Sequence, residues 1–224
     1  MLLPIEEVRR LPAPTNLPQG LACGPGRLWL SSRAKNAVYE LDPERWTVLR
    51  EYESPGTTYG LTVRGSDLRA VVGEEDDDRY LRRFIPGQGF AAERAACPDD
   101  TGSYLGYSDG QLYLTQWYKQ KLLFIDDRAH VSKTFDAPHQ ICGCTVANGS
   151  VYLLTTDDEE TYDYFITRVD VGGPNVTAVD VAHVPFHGRS LGWDGEKFWT
   201  NLREADQVIS FTIPGVENHA KTVR

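Results

Sequence analysis

The sequence predicts an all-β chain folded as one five-bladed β-propeller of four-stranded antiparallel blades, with the N-terminal segment closing the last blade. Three observations predict it. A short glycine-containing strand recurs as Gln19-Gly20-Leu21-Ala22, Tyr59-Gly60-Leu61-Thr62, Leu105-Gly106-Tyr107-Ser108, Cys142-Gly143-Cys144-Thr145 and Leu191-Gly192-Trp193-Asp194. The glycines stand 40, 46, 37 and 49 residues apart, close to the length of a four-stranded blade. No segment sustains the i, i+3, i+4, i+7 apolar pattern of a useful helix.

The elements of each unit follow in order. After the first strand comes a tight turn, then a second strand rich in aromatics: Leu28-Trp29-Leu30, Leu112-Tyr113-Leu114, Val151-Tyr152-Leu153 and Phe198-Trp199-Thr200. Unit two is the weak member, with Leu68-Arg69-Ala70-Val71-Val72 in that place. Third strands are Val38–Leu41, Tyr80–Phe84, Leu122–Ile125, Phe165–Val169 and Val208–Phe211, several closed by Asp or Pro turn residues. Fourth strands end at Pro55, Pro98, Pro138 and Pro185, where an outer edge needs no ladder donor. The fifth unit stops after its third strand, near Ile213-Pro214, and Ile5 to Pro14 reads as an orphan fourth strand. Supplying that strand to the fifth unit closes the ring and removes an open edge. The whole chain, 1–224, is then one domain with residues 215–224 as a C-terminal tail. A β-sandwich, or a six-bladed ring with a degenerate blade, are the alternative uses of the same strands.

Bulk properties narrow the function. A formal charge of −9 argues against nucleic-acid binding, which requires a basic stripe. The mean hydropathy is −0.41, and no run approaches the ~18 apolar residues of a spanning helix. The start, Met1-Leu2-Leu3-Pro4-Ile5-Glu6-Glu7, lacks the basic and apolar regions of a signal peptide, so a cytoplasmic monomer is expected. Four cysteines are too few for a disulfide framework, and reduced thiols are expected. The acidic runs Glu74–Asp78 and Asp157–Glu160 read as solvated loops.

In a four-stranded meander, the loops after strands two and four emerge on one face, which is where a site is expected. Three chemistries are available there. His139, Cys142 and Cys144 could hold a divalent metal on the axis, although small thiols also suit plain packing. His139 or His187, with Glu74, Glu75 or Asp157 nearby, could do acid–base work. Gln19, Tyr59, Tyr107, Trp117 and Trp193 could bind a ligand, with Arg33, Arg189 and Arg203 as forks for its carboxylate or phosphate. A small molecule or short peptide is the expected partner.

Gly26-Arg27-Leu28-Trp29-Leu30 followed by Val38-Tyr39-Glu40-Leu41-Asp42-Pro43 resembles the blades of streptogramin (virginiamycin B) lyases, NHL-type repeats and gluconolactonase-like proteins. Pro18-Gln19-Gly20-Leu21 and Tyr59-Gly60-Leu61-Thr62 are similar to blade starts of the plant and bacterial type of glutaminyl cyclotransferase. Where that family carries a glutamate after its first aromatic strand, this chain has Leu30-Ser31-Ser32-Arg33. The resemblance implies a small-molecule enzyme of lyase or cyclotransferase type. The alternative is a non-catalytic propeller that binds a ligand, peptide or protein on the same face.

Overall fold

Alternating apolar residues, cut by Gly, Asp and Pro turns, give twenty strands among the residues described, 2–216, in a computed structural model. Residues 217–224 of the expected tail lie outside the described residues. Strand β1 (Glu6–Pro12) precedes the first complete blade, made of β2 (Pro18–Gly24), β3 (Arg27–Ser32), β4 (Ala37–Asp42) and β5 (Thr47–Glu53). Blade two is β6 (Thr57–Arg64), β7 (Asp67–Gly73), β8 (Arg79–Ile85) and β9 (Gly89–Ala96). Blade three is β10 (Leu105–Ser108), β11 (Gln111–Gln116), β12 (Lys121–Ile125) and β13 (Val131–Asp136). Blade four is β14 (Gln140–Ala147), β15 (Ser150–Thr156), β16 (Tyr164–Asp170) and β17 (Thr177–Val184). Last come β18 (Gly188–Trp193), β19 (Phe198–Leu202) and β20 (Gln207–Thr212).

All five sheets have four antiparallel strands, and the fifth is ordered β1-β20-β19-β18. The predicted closure is therefore real: β1 pairs with β20 from Glu6 opposite Thr212 to Pro12 opposite Gln207. The leading residues go further. Ile5 N–H donates to the His183 carbonyl at 2.9 Å, and His183 N–H donates to the Leu3 carbonyl at 2.9 Å, so the same segment caps the outer edge of blade four. Single 3-10 turns, Glu75–Asp77, Pro98–Asp100 and Arg203–Ala205, are the helical pieces among the described residues, and no described helix is long and apolar enough to cross a membrane.

The apolar faces of the blades meet pairwise, so the core is divided into five clusters, one between each pair of neighbouring blades. Second-strand aromatics fill these seams. Trp29 lies between blades one and two, Tyr113 between three and four, Tyr152 between four and five, and Trp199 between five and one.

Near the axis there is no room for side chains on both neighbours. A Cβ on Gly60 would sit 2.4 Å from the Ser103 carbonyl oxygen, and one on Gly143 would sit 2.6 Å from the Ser190 carbonyl carbon. At these positions glycine lets adjacent inner strands touch through their backbones, whereas at Gly106 and Gly192 the missing Cβ makes room for side chains of the next blade, Cys144 and Val146 in one seam and Leu21 and Cys23 in the other. Ser31 bridges the first such seam: its Oγ accepts from Gly20 N–H at 2.8 Å and donates to the Thr58 carbonyl at 2.7 Å.

Inner strands also bulge just before or beside these glycines, with register shifts between Thr58 and Gly60 and between Ile141 and Gly143. In blade four the extra residue is Cys142. Ile141 and Cys144 face the core shared with blade three, whereas Cys142 faces the core shared with blade five. A regular strand would put Cys142 and Cys144 on one face, and the bulge parts them.

Candidate functional site

Inner strands run from one face of the ring to the other, so the residues that begin each inner strand, or lead into it, stand at one mouth of the channel. The loops after the second strands reach the same mouth. Together they line a cavity of about 240 Å³. Gln19, Arg33, Tyr59, Trp117, Arg189 and Arg203, all read from the sequence as ligand-binding candidates, are brought together there. Tyr107 and Trp193 are not. They follow their glycines, and so line the small opening at the opposite end of the channel with Cys23, Val63 and Cys144.

The cavity is arginine-rich in a chain of charge −9. Arg33, Arg79, Arg189 and Arg203 line it, against the carboxylates Asp77 and Glu159. Two of the guanidiniums are spoken for. Arg79 pairs with Asp77 and lies 3.6 Å from the Tyr59 ring centroid, and the Tyr59 hydroxyl donates to Asp77 at 3.1 Å. Arg189 pairs with Glu159 at 2.5 Å, and its Nη1 also reaches the Tyr164 hydroxyl at 3.1 Å and Cys142 Sγ at 3.2 Å. Arg33 and Arg203 make no ion pair among the described residues. Burial lowers the Arg203 pKa; the neighbouring Tyr104 works against this, and the like charges of Arg189 and Arg33 add to the lowering. Its Nε is buried without a hydrogen-bond partner. A guanidinium does not shed its proton in a protein, so this one is a charge waiting for a counter-charge.

The aromatic wall is layered. Trp117 donates from Nε1 to the Gln140 side-chain oxygen at 3.1 Å and stacks on Tyr118, ring centroids 4.3 Å apart. Below them Gln19 Nε2 reaches the Tyr104 hydroxyl at 3.2 Å and the Tyr59 carbonyl at 3.5 Å. Burial pushes the Cys142 thiol and the Tyr164 phenol up to about 12 and raises Tyr104 as well. These groups stay protonated at neutral pH.

The acid–base candidates are placed elsewhere. His139 and Asp157 do meet, Nδ1 to Oδ1 at 2.7 Å, but Nε2 is taken by Asp180 at 3.1 Å and neither residue lines the cavity. His187 lies beside Glu204 at 3.3 Å and under the Tyr162 ring at 4.5 Å, again outside the cavity lining. Glu74 turns back into blade two, where Arg82 holds it with Nε at 2.5 Å and Nη2 at 3.0 Å and Arg94 adds a second guanidinium. Glu75 sits exposed in a 3-10 turn. The metal candidates also separate: His139 goes to the two aspartates, Cys142 to Arg189 and Cys144 into packing. Among the described residues, no group of three or more His, Cys, Asp or Glu could hold an ion.

Glu159, Arg79 and Asp77 also line the cavity without having been proposed as site residues. Both acids come from the runs read as solvated loops. Glu159 is turned inward by its neighbour: Asp158 Oδ1 accepts from Glu160 N–H at 2.9 Å, and Thr156 Oγ1 donates to the Asp158 carbonyl at 2.9 Å.

Three histidines hold the loop that carries Glu159. His139 binds Asp157, His183 lies 3.5 Å from Asp163, and His187 stacks on Tyr162. Burial lowers the His139 pKa, but the hydrogen bonds to Asp157 and Asp180 outweigh it and raise the value above the ordinary imidazole range. The imidazolium's contribution is thus fully present below about pH 6.5 and is lost as pH rises through the folded value. We expect proton NMR to show His139 titrating above free histidine. A His139→Gln variant should lose the part of the stability that declines as pH rises above about 6.5, and an unchanged pH profile would contradict the pairing.

No protein-family model matches the chain, and comparison with curated protein sequences finds no match. Among solved structures, the glutaminyl cyclase of Myxococcus xanthus is similar in fold, with 15% identity and a TM-score of 0.55 over 81% of this chain and 100% of that one. A catalytically inactive H270A virginiamycin B lyase of Staphylococcus aureus, with quinupristin, gives 15% identity and a TM-score of 0.57 over 93% and 73%. Regucalcin of Agrobacterium tumefaciens, a calcium-binding protein, gives 10% identity and a TM-score of 0.58 over 95% of both chains. The resemblance to cyclotransferase and lyase propellers read from the blade motifs is therefore met at the level of fold.

Proposed function

We propose that this propeller binds a small anionic organic molecule in the axial cavity. The observation that carries the reading is the pair Arg33 and Arg203, two guanidiniums without ion-pair partners at a mouth that opposes the net charge of the whole chain. Such a patch draws an anion in, and a partly buried fork binds it with charge-assisted hydrogen bonds. The aromatic wall suits an apolar or flat body on the same ligand. The lyase or cyclotransferase reading draws less support, because the cavity's thiol and buried phenols are held protonated and the histidines contribute no lining. The ligand-binding alternative is accordingly the one we adopt.

Isothermal titration with acetate, benzoate and inorganic phosphate tests it. Saturable binding is expected, weakening as salt is added. Arg203→Gln should reduce affinity about 10- to 100-fold, the range of a lost charged hydrogen bond of about 1.5–3 kcal/mol. Absence of saturable binding by every anion, or equal affinity in the folded variant, would overturn it.

A further inference from the structure

We infer that the natural occupant is the free C-terminus of a peptide, its α-carboxylate on the arginines and its last amide N–H on Gln19; this rests on the anion reading above. Two buried polar atoms at the cavity lack partners, and they are of opposite kind. Arg203 Nε is a donor, and Gln19 Oε1 is an acceptor in a side chain only 2% exposed. The amide orientation of Gln19 is fixed from outside, since the Tyr59 carbonyl beside Nε2 can only accept. Leaving either atom unpaired costs about 1–3 kcal/mol, so one ligand that answers both is favoured over one that answers the donor alone. An acetate ion satisfies the guanidinium and leaves Gln19 as it was. The last residue of a peptide presents a carboxylate and an amide N–H on the two sides of a single Cα, which supplies both.

Size and surroundings extend the match. A cavity of about 240 Å³ is at the small end for a ligand pocket, a size that suits the terminal residue of a peptide. The remainder must leave across the rim, where exposed aromatic and apolar side chains stand among the charged ones. Tyr118 is 82% exposed on top of Trp117, Tyr162 is 65% exposed over His187, and Leu17 is 41% exposed. Rigid, exposed aromatics around a cationic pocket suit an apolar peptide whose negative end points inward.

The test uses the full chain and four probes: an acetyl-capped tetrapeptide of alternating alanine and leucine with a free carboxylate, its C-terminal amide, the free acid N-methylated at its last amide nitrogen, and benzoate. The free acid should bind at least about tenfold tighter than each of the other three. Tyr118→Ser should weaken the peptide several-fold more than it weakens benzoate, whose ring reaches only the inner part of the aromatic wall. Arg33→Gln, exposed and safe for folding, should shrink the gap between free acid and amide even if Arg203→Gln fails to fold. Equal binding of acid and amide, or benzoate binding as tightly as the peptide, overturns the inference and leaves the anion pocket standing. Binding of no anion at all overturns both.

Discussion

A chain lacking residues 2–12 should melt about 10–20 °C below the full-length protein and with reduced cooperativity. The truncation removes more than one strand. Six residue pairs between β1 and β20 go with it, and each internal hydrogen bond is worth about 0.5–1.5 kcal/mol net. Ile5, 8% exposed in the core between blades four and five, is lost as well, at about 1.5–3 kcal/mol. The seam to blade one loosens too, because the Pro12 carbonyl accepts from Trp46 Nε1 at 2.7 Å and Arg9 Nη1 donates to the Pro43 carbonyl at 2.7 Å. A loss of roughly 5 kcal/mol, at about 2–4 °C per kcal/mol for a chain of this size, gives the stated shift. Scanning calorimetry measures it, and a synthetic peptide spanning residues 2–14 should restore part of the transition in trans. A truncated chain that melts like the parent would show that the ring does not depend on its N-terminal strand.

The second large effect is expected at Glu74. Its side chain is 8% exposed and that of Arg82 10%, so the pair is an ion pair inside blade two and not a rim contact. Glu74→Ala strands a buried guanidinium, whose remaining hydrogen bonds go to the carbonyls of Ala91 and Ala92. Breaking one side of such a pair costs about 3–5 kcal/mol, or roughly 6–20 °C in Tm. Anion binding at the axial cavity should be unchanged once the variant is kept below its melting point, which separates a structural carboxylate from a catalytic one. The pH dependence has a definite sign. The Arg82 hydrogen bonds lower the Glu74 pKa against the opposing effect of burial, so its contribution is complete above about pH 4.3 and is lost only as pH falls through the lower folded value. Denaturant titrations of both proteins at pH 7 and in strong acid should therefore show a gap that closes at the acidic end. A variant as stable as the parent at pH 7 would refute the pairing.

The ring was legible because its constraint is carried by residue type. Only glycine permits the backbone contact at Gly60 and Gly143, and large aromatics at the second-strand position fill the seams, so both recur visibly. The mouth was legible as a set of segments for the same reason. Tyr107 and Trp193 were misplaced because the lining changes over near the glycine: Gln19 and Tyr59 precede theirs and face one opening, whereas Leu105, Leu191 and the residues after the glycines face the other. Glu159 and Glu74 were hidden by their neighbours. In a run of acids nothing in residue type tells the one that turns inward from those that stay in water, and the partners, Arg189 and Arg82, lie 30 and 8 positions away. Cys142 was hidden by a bulge, which shifts the alternation of faces without changing composition.

The backbone contacts between inner strands have one more consequence. Because main chain meets main chain beside Gly20, Gly60 and Gly143, the bore at those seams is set without reference to the side chains that project into the mouth. The lining can be exchanged residue by residue while the frame keeps its dimensions, as in a die whose insert is replaced and whose housing is not. Re-lining this mouth, by moving Arg33 or Tyr118 to other chemistries, should therefore redirect what it selects long before it disturbs how the chain folds.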